Sequence, residues 1–277
     1  MELPDLRGHV VIVTGAGSGI GRSIAHLAAR QGAAAVHVVD VDAAAAARVA
    51  DALGGTGTRA VAHAVDVSDP EAVERLAAAV YDADGQVDVL VNNAGVGHAG
   101  EVVDTPLEDW RRVLGVNLLG VVHGIHAFVP RLVAAGRPAS IINTASMAGL
   151  LPMAGMVPYS TSKAAVVGLS EALDAELAPH GVRVSALCPG VIDTSIVRTS
   201  VTRGSWSRRQ DRLTRLYATR GTSPDVVARA ALAAVRRHRV VVPTPRAQVG
   251  PMWLLKRWAP GLARAANRGV ARFAARD

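Results

Sequence analysis

Runs of apolar, largely β-branched residues alternate with Ala-rich stretches along the first 190 residues of the chain, about every 25 to 30 residues. Near-continuous apolar strands separated by helices are typical of a parallel sheet that is covered on both faces. The order therefore predicts an α/β fold with one doubly wound sheet of about seven strands. The predicted strands are residues 9–14, 35–40, 59–65, 87–92, 139–144, 182–187 and the V-V-V-P run at 240–243.

The later part of the chain departs from this alternation. Residues 192–221 form a polar, Arg-rich segment that is predicted to be a loop, and a helix is predicted to open at S-P-D with Ser223 as its cap. We expect one Rossmann-type domain over residues 1–246, with helices on both faces of its sheet, and a helical extension over residues 247–277. Because aromatic residues are only 3% of the chain, the core must be built from Ala, Val, Leu and Ile.

Cysteine usage and the N-terminal residues bear on the cellular compartment. The single cysteine, Cys188, cannot form an internal disulfide and is expected to be a small buried residue, and no metal site is expected. The first residues lack the basic region and apolar run of a secretory signal, so a cytoplasmic location is predicted. The longest uncharged apolar stretch, Val113–Pro130, is shorter than the ~20 residues that a bilayer requires and is predicted to be a buried helix.

The first predicted strand runs into a glycine-rich turn, T-G-A-G-S-G-I-G, at residues 14–21. Its glycines allow the backbone to turn tightly and to approach a pyrophosphate, whose charge the amides at the start of the next helix can hold. The spacing TGxxxGxG differs from the common dinucleotide spacing GxGxxG. By itself such a turn does not specify a nucleotide site.

Five more motifs follow the turn in chain order. They are Asp66-Val67 at the end of the third predicted strand, N-N-A-G at 92–95, Asn117 in the next long helix, Ser146 thirteen residues before Tyr159 in Y-S-T-S-K, and P-G-V-I-D-T at 189–194. With these motifs the sequence resembles the short-chain dehydrogenase/reductase family, in its short single-domain branch, over roughly residues 7–245. The resemblance implies a nicotinamide-dependent oxidoreductase. It also implies a homo-oligomer, a dimer or tetramer assembled through the long helices at about 106–135 and 157–179.

The resemblance assigns catalytic roles first to Tyr159 and Lys163. Tyr159 would be the general acid/base that exchanges a proton with the substrate oxygen while hydride passes to or from the nicotinamide. A free tyrosine titrates near ~10, so work near neutrality requires ~4 kcal/mol of phenolate stabilisation. Lys163, one helical turn along, offers a compact ammonium that can lie beside the phenolate and donate to ribose hydroxyls, in a chain whose other cations except Lys256 are arginines.

Ser146 and Asn117 complete the implied catalytic set. Ser146 would hold the reacting oxygen beside Tyr159, and Asn117 would anchor a water that relays protons to Lys163. Taken singly, Ser146 could end a strand and Asn117 could satisfy a buried backbone group. Only the four residues together point to catalysis.

The resemblance also implies a cofactor site along the same motifs. The glycine-rich turn would hold the pyrophosphate, Asp66-Val67 would border the adenine, and Thr194 would bind the nicotinamide amide. The complete predicted cofactor set is Gly15, Gly17, Ser18, Gly19, Ile20, Gly21, Asp40, Asp66, Val67, Asn93, Ala94, Gly95, Tyr159, Lys163, Pro189, Gly190, Ile192 and Thr194.

The choice between NAD and NADP turns on Asp40, at the end of the second predicted strand. An acid there accepts hydrogen bonds from the adenosine ribose and repels a 2′-phosphate by an amount on the order of 4 kcal/mol per charge pair. Ser18 stands where family members that use NADP often carry Arg or Lys. NAD is therefore predicted in preference to NADP. Asp42, also acidic, is expected to cap the following helix.

Two segments are expected to face the substrate. Residues 147–158 hold three of the five methionines, and in the family this segment forms a substrate wall. An apolar, adaptable wall implies an apolar alcohol or ketone, with packing in the core as the alternative. Residues 192–221, with Val197, Trp206 and Tyr217 among their apolar side chains, form the expected substrate lid. His98 could contact substrate or, as a loop histidine, be solvated.

Charge is segregated along the chain. Residues 1–202 hold 13 basic and 20 acidic side chains, and residues 203–277 hold 17 basic and three acidic ones. Beyond Pro260 a basic amphipathic helix is predicted. It could lie on an anionic membrane with Trp253, Leu254 and Trp258 inserted, or pack against a neighbouring subunit or the lid. Packing is favoured because small residues make a weak membrane face, and no nucleic-acid partner is expected. The basic face is Arg264, Arg268, Arg272 and Arg276, and the other face is Leu262, Ala266, Val270 and Phe273.

These patterns predict an NAD-dependent oxidoreductase that interconverts a secondary alcohol and a ketone on a hydrophobic substrate. The preference for NAD favours oxidation of the alcohol as the direction of the reaction. One alternative is an NADPH-dependent carbonyl reductase, against which Asp40 argues. The other is a catalytically silent NAD-binding sensor or scaffold protein, against which the proton-relay set argues, because a binder needs no proton relay.

Overall fold

The computed structural model describes the backbone of residues 5–274 and the side chains of residues 5–269. Each predicted strand forms within two residues of its predicted bounds. In chain order the strands and helices are β1 (Val10–Thr14), α1 (Gly19–Arg30), β2 (Ala35–Asp40), α2 (Ala43–Leu53), β3 (Arg59–Ala64), α3 (Pro70–Asp84), β4 (Val89–Asn92), β5 (His98–Ala99), α4 (Leu107–Leu114), α5 (Gly120–Ala135), β6 (Ala139–Thr144), α6 (Met147–Leu150), α7 (Val157–Leu177), β7 (Val182–Pro189), α8 (Ile196–Thr199), β8 (Val201–Thr202), α9 (Gln210–Arg220), α10 (Pro224–Arg237), β9 (Val241–Thr244), α11 (Arg246–Trp258) and α12 (Pro260–Ala274).

The seven predicted strands join one parallel sheet in the order β3-β2-β1-β4-β6-β7-β9. Helices cover both faces of this sheet, which confirms the doubly wound α/β fold. The chain moves outward from β1 to β3 and then returns to place β4 on the other side of β1. A crevice therefore opens at the carboxyl ends of β1 and β4, which is where open sheets of this kind bind ligands.

Alternate residues of the central strands face two different cores. Val11 and Val13 of β1 pack with Leu232 of α10 on one face of the sheet. Ile12, between them in sequence, packs with Phe128 of α5 on the other face. Each such side chain is fully buried and contributes ~1.5–3 kcal/mol through its transfer from water. The strands are thus held from both sides, and they support the residues at their carboxyl ends.

Three local predictions are confirmed. Cys188 of β7 is buried, and the side chain of Asp42 accepts a hydrogen bond from Ala45 N at 3.0 Å, which caps α2. Ser223 caps α10 in the same way, since its hydroxyl oxygen accepts a hydrogen bond from Asp225 N at 3.2 Å.

The helical segment Leu107–Ala135 consists of α4, one π-helical turn at Gly115–Leu119, and α5. By length and hydropathy it is the one segment among the described residues that could cross a bilayer. Phe128 and Leu132 of α5 nevertheless pack with residues of α3 in the second core. One face of this helix is therefore buried within the fold, as the sequence predicts for Val113–Pro130.

The segment 192–221 is mostly helical, so its prediction as a loop is wrong. It contains α8, a 3₁₀ turn at Gly204–Arg209, and α9. Between α8 and that turn, β8 pairs in parallel with β5 in a two-stranded sheet that was not predicted. Two-residue strands carry no alternation pattern, and helices rich in exposed arginines lack an apolar face that sequence reasoning can detect.

Candidate active site

A cleft of about 560 Å³ lies at the carboxyl ends of the central strands. Every residue predicted to contact a cofactor lines this cleft, except Gly17 and Gly21, which shape the glycine-rich turn. Ser146, Tyr159 and Lys163 line it as well. The fold therefore brings together motifs that are spread over almost 200 residues of sequence.

The glycine-rich turn connects β1 to α1. Gly15 has a φ of +63°, and a Cβ there would lie 2.8 Å from the Cα of Ala94, so only glycine fits. Gly17 packs against Asp40, and a Cβ at Gly17 would lie 2.8 Å from its Oδ2. The residues at the start of α1 line the cleft, so the positive end of that helix faces the space where a pyrophosphate would lie.

Asp40 ends β2 and lies at the cleft wall. Its Oδ2 accepts a hydrogen bond from Gly17 N at 2.8 Å, and its Oδ1 accepts one from Asp42 N at 3.0 Å. A carboxylate has about four acceptor positions, so both oxygens keep capacity for ribose hydroxyls. The turn and the oriented carboxylate fit a nicotinamide dinucleotide.

Thr14 is a residue of the site that sequence reasoning did not single out. Its Oγ1 accepts hydrogen bonds from the backbone N–H groups of Asn93 at 2.9 Å and Ala94 at 3.0 Å. The Asn93 side chain donates in return to Thr14 O at 2.9 Å. These bonds join the glycine-rich turn to the N-N-A-G segment across the crevice. The sequence signal that could have identified Thr14 is a hydroxyl residue at the carboxyl end of the first strand.

Tyr159 lies in the first turn of α7, and Ser146 caps α6 by accepting a hydrogen bond from Ala148 N at 3.1 Å. Burial raises the pKa of Tyr159 to about 12, and hydrogen bonding to Ser146 acts in the opposite direction. The predicted lowering of this pKa is therefore not produced by the protein's own groups, because desolvation of the phenolate outweighs them. Tyr159 is protonated and can donate its proton to a carbonyl oxygen.

Lys163 is buried, with 2% of its surface exposed. Its Nζ donates a hydrogen bond to Thr144 O at 2.7 Å and lies 5.8 Å from the centroid of the Tyr159 ring. Burial lowers the pKa of Lys163 to about 8, because the charged form is poorly solvated. The ammonium form persists below that pH, one helical turn from Tyr159 and facing the same cleft.

Asn117 lies in the π-helical turn and is fully buried. Its Oδ1 accepts a hydrogen bond from Val96 N at 2.8 Å, and its Nδ2 donates to Val96 O at 3.0 Å. It thus satisfies a buried backbone unit, which was the simpler of its two predicted roles. A Cβ at Gly95 would lie 3.2 Å from Asn117 Oδ1 and 3.4 Å from Lys163 Nζ, so both side chains end beside Gly95.

Residues 9–204 match the family model described as short chain dehydrogenase. The chain belongs to the short-chain dehydrogenase family. The probable oxidoreductase EphD of Mycobacterium tuberculosis is 43% identical to this short-chain dehydrogenase over 240 residues, which are 84% of this chain and 40% of EphD. The chain thus spans less than half the length of EphD.

Two other similar proteins are matched over more of their own length. The 1-deoxy-11-beta-hydroxypentalenate dehydrogenase of Streptomyces exfoliatus is 45% identical over 195 residues, which are 70% of each chain. The crystal structure of a short chain dehydrogenase/reductase from Burkholderia phymatum in complex with NAD superposes with a TM-score of 0.87 at 34% identity, covering 94% of this chain and 96% of that one.

The Met-rich segment 147–158 of this short-chain dehydrogenase borders the cleft. Met147, Met153 and Met156 all line it, so the methionines face the cleft rather than only the core. Trp206 packs directly over Gly155, where any Cβ would clash with the indole ring. The segment 192–221 therefore contacts this wall, and Val197 and Tyr217 of that segment line the cleft beside it.

His98 departs from both of its predicted roles, since it neither lines the cleft nor is solvated. It is buried on β5, and its Nε2 lies 3.2 Å from Oδ2 of Asp109. Asp109 also accepts two hydrogen bonds from Arg203, at 2.7 and 3.0 Å. Hydrogen bonding to the Arg203 guanidinium lowers the pKa of the Asp109 carboxyl. Arg203 follows β8, so this ion pair ties the segment 192–221 to α4.

The C-terminal helices pack on the Met-rich wall. Lys256 Nζ donates to Leu150 O at 2.6 Å. Asn267 donates to Pro152 O at 3.0 Å and accepts from Ala154 N at 2.9 Å. The prediction for the faces of the last helix is therefore wrong. Ala263 is buried and Asn267 binds the wall, whereas Leu262 and Ala266, which were predicted to form the apolar face, are exposed. A small residue and a carboxamide allow the helix to approach the backbone of the wall closely. The side chains of Val270, Arg272, Phe273 and Arg276 lie outside the described residues.

Proposed function

We propose that this short-chain dehydrogenase is an NAD-dependent oxidoreductase that interconverts a secondary alcohol and a ketone on a hydrophobic substrate. One observation carries the proposal: Tyr159, Ser146 and Lys163 border the same cleft as an Asp40 carboxylate that two backbone amides orient. A protein that only binds the cofactor needs the oriented Asp40 carboxylate but does not need Tyr159, Ser146 and Lys163 together.

Tyr159 acts as the general acid/base at the substrate oxygen. Its protonated phenol donates to a carbonyl oxygen in the reduction direction, and the phenolate accepts the alcohol proton in the oxidation direction. Ser146 holds that oxygen beside Tyr159 and offers it a second hydrogen bond as negative charge develops. A nicotinamide cofactor, when bound, supplies or accepts the hydride.

Lys163 and Asn117 support the proton transfer from behind Tyr159. The Lys163 ammonium, positively charged below about pH 8, favours the phenolate and is placed to bind ribose hydroxyls. Asn117 lies across Gly95 from Lys163 Nζ and holds the Val96 backbone in place. That arrangement supports a water-borne proton path from Lys163 to the interior, as the resemblance to the family implies.

The cofactor preference for NAD is tested at Asp40. We expect Asp40→Ser to weaken NAD binding roughly tenfold or more, since hydrogen bonds to a charged acceptor are lost, and to improve NADP binding. Fluorescence titration of both cofactors measures the two constants. Asp42→Ser is the matched control: it removes the same charge two residues away, a serine can still cap α2, and the NAD preference should stay intact. Tighter binding of NADP than NAD by the wild type would contradict the proposal.

The substrate class follows from the wall and from the segment 192–221, which we propose to be the lid. The methionines and the side chains of Val197 and Tyr217 offer an adaptable apolar surface, which suits a bulky apolar alcohol or ketone. An NAD-linked screen of sterols, terpenols, aromatic and long-chain secondary alcohols, followed by NADH absorbance, tests this. Absence of turnover across the panel, with NAD binding intact, would favour a silent NAD-binding protein instead.

The ion pair between Asp109 and Arg203 is expected to hold the lid in place. Asp109→Asn keeps the shape of the side chain and removes its charge, so the bidentate pair weakens and the lid loosens. We expect KM for an apolar substrate to rise about three- to tenfold with a smaller change in kcat. Steady-state kinetics measures both constants. Asp51→Asn, the same exchange at an exposed residue of α2, is the control, and an unchanged KM in Asp109→Asn would exclude this role.

We also propose that the chain forms a homodimer or homotetramer through α4–α5 and α7. Leu119 is exposed between α4 and α5, and the small residue Gly168 leaves open space on the outer face of α7. Such flat, partly apolar helix faces suit a symmetric interface. Light scattering coupled to size-exclusion chromatography measures the mass, and a monomer at micromolar concentration would contradict this assembly.

A further inference from the structure

The outer face of α11 is apolar and exposed. Pro251, Leu254, Leu255 and Trp258 follow one another at helical spacing, opposite the buried Val249. Trp258 is 80% exposed, Leu254 51% and Leu255 43%, and Leu262 at the start of α12 continues the patch at 64%. Large apolar side chains gathered on one surface in this way mark an interaction site.

The inner face of the same two helices determines the direction in which this patch points. Val249 is buried in a core cluster with Cys188 of β7, and Trp253 packs against that cluster. Lys256 and Asn267 bind the backbone of the Met-rich wall through the hydrogen bonds described above. Lys256 and Asn267 are thus turned inward, whereas Leu254, Leu255 and Trp258 remain outside.

The surroundings of the patch are uniformly basic. Residues 246–276 contain no Asp or Glu, and they contain seven Arg and Lys. Arg246, Arg257, Arg264 and Arg268, which lie on the same two helices as the patch, are exposed. No salt bridge is found for these four arginines among the residues whose side chains are described. Their charge therefore faces solvent together with the leucines and Trp258.

We propose that this patch, formed by α11 and the start of α12, is a docking surface for anionic lipid bilayers. Leucine and tryptophan side chains enter the boundary between headgroups and acyl chains, while the flanking arginines meet the negative headgroups. A second copy of the chain fits less well, because a symmetric contact would place the same basic patch against itself. A nucleic acid would meet the arginines but would leave the aliphatic side chains unsatisfied.

Docking at this surface would place the bilayer on the outer side of α11 and α12, one helix diameter (~10 Å) from the Met-rich wall that their inner side contacts. Lys256 and Asn267 bind the backbone of Leu150, Pro152 and Ala154. Met153 and Met156, in the same segment, line the cleft. An apolar substrate dissolved in the bilayer could then reach the cleft without crossing much water. This consequence rests on the proposed function, whereas the docking itself does not, and the two fail separately in the experiment below.

The test is sedimentation of the full-length protein with phosphatidylcholine vesicles prepared with and without phosphatidylglycerol. We expect the protein to pellet with the anionic vesicles, to pellet far less with neutral ones, and to be released by added salt. The double variant Leu254→Gln, Trp258→Gln should lose about tenfold or more of the partition coefficient, since two large apolar side chains no longer enter the bilayer. Its melting temperature should match the wild type, because both residues are exposed.

Leu107→Gln is the matched control, because Leu107 is 69% exposed on α4, away from the patch. It should pellet as the wild type does. Equal pelleting of the double variant and the wild type, or pelleting that ignores lipid charge, would overturn the proposal. The wild type could instead stay in the supernatant, and light scattering could show a smaller mass for the double variant than for the wild type. That pair of results would assign the patch to a subunit interface. Inactivity of a protein that still pellets would refute only the proposed function.

Discussion

Tyr159→Phe is expected to lower kcat about a thousandfold and to leave cofactor binding unchanged. The substitution removes the hydroxyl that the proposed mechanism uses to exchange a proton with the substrate oxygen, and general acid/base catalysis is worth ~10²–10⁴ in rate. Ser146 and Lys163 remain, so the reacting oxygen can still be held but not protonated. Steady-state kinetics on the best alcohol of the panel, with a cofactor titration beside it, measures the effect.

Tyr81→Phe is the matched control for this experiment. Tyr81 lies on α3, and its hydroxyl is buried with no hydrogen-bond partner among the described residues, so its removal should leave activity unchanged. Comparable loss in both variants would indicate that the phenol-to-phenyl change harms folding rather than chemistry. Near-normal turnover in Tyr159→Phe would remove Tyr159 from the mechanism.

Lys163→Arg is expected to lose roughly a hundredfold of kcat/KM although the positive charge is kept. Lys163 is buried, its Nζ lies 2.7 Å from Thr144 O, and a Cβ at Gly95 would lie 3.4 Å from that Nζ, so the surrounding space is tight. A guanidinium is wider than this space, so it must displace its neighbours or point away from Tyr159. The planar group also cannot approach phenolate and ribose as one compact donor.

The control for Lys163→Arg is Lys256→Arg, which makes the same exchange at the only other lysine, outside the cleft. It should keep activity within about threefold. Thermal unfolding separates misfolding from a catalytic defect, since overpacking at a buried site costs ~1–3 kcal/mol. Near-normal activity of Lys163→Arg would show that charge alone suffices at this position and that the compact shape of lysine is incidental.

Most of the sheet could be predicted because its strands are buried on both faces. Residues 10–13 are apolar throughout, and such a run between Gly-rich turns and Ala-rich helices has few other folded solutions. The predicted cofactor residues come together for a related reason: they follow strands, and the carboxyl ends of parallel strands meet at one edge of the sheet.

Other features could not be predicted because they depend on distant partners. His98 is buried beside Asp109, eleven residues further along, and Asp109 is in turn bound by the distant Arg203. The strands β5 and β8 are two residues each, and neither would form without the other. The pKa of Tyr159 depends on how completely the fold removes water from the phenol, and burial raises it where sequence reasoning expected a lowered value.

The sequence by itself determined the parallel sheet, the glycine-rich turn, the acid at the end of β2 and the Tyr-Lys pair one helical turn apart, because each follows from local pattern and backbone geometry. Only the tertiary structure decided how α11 and α12 are oriented. Their composition allows either face of the extension to be inside, and the outcome depends on which groups find backbone partners on the Met-rich wall. Lys256 and Asn267 find them, so Leu254, Leu255 and Trp258 are left facing out.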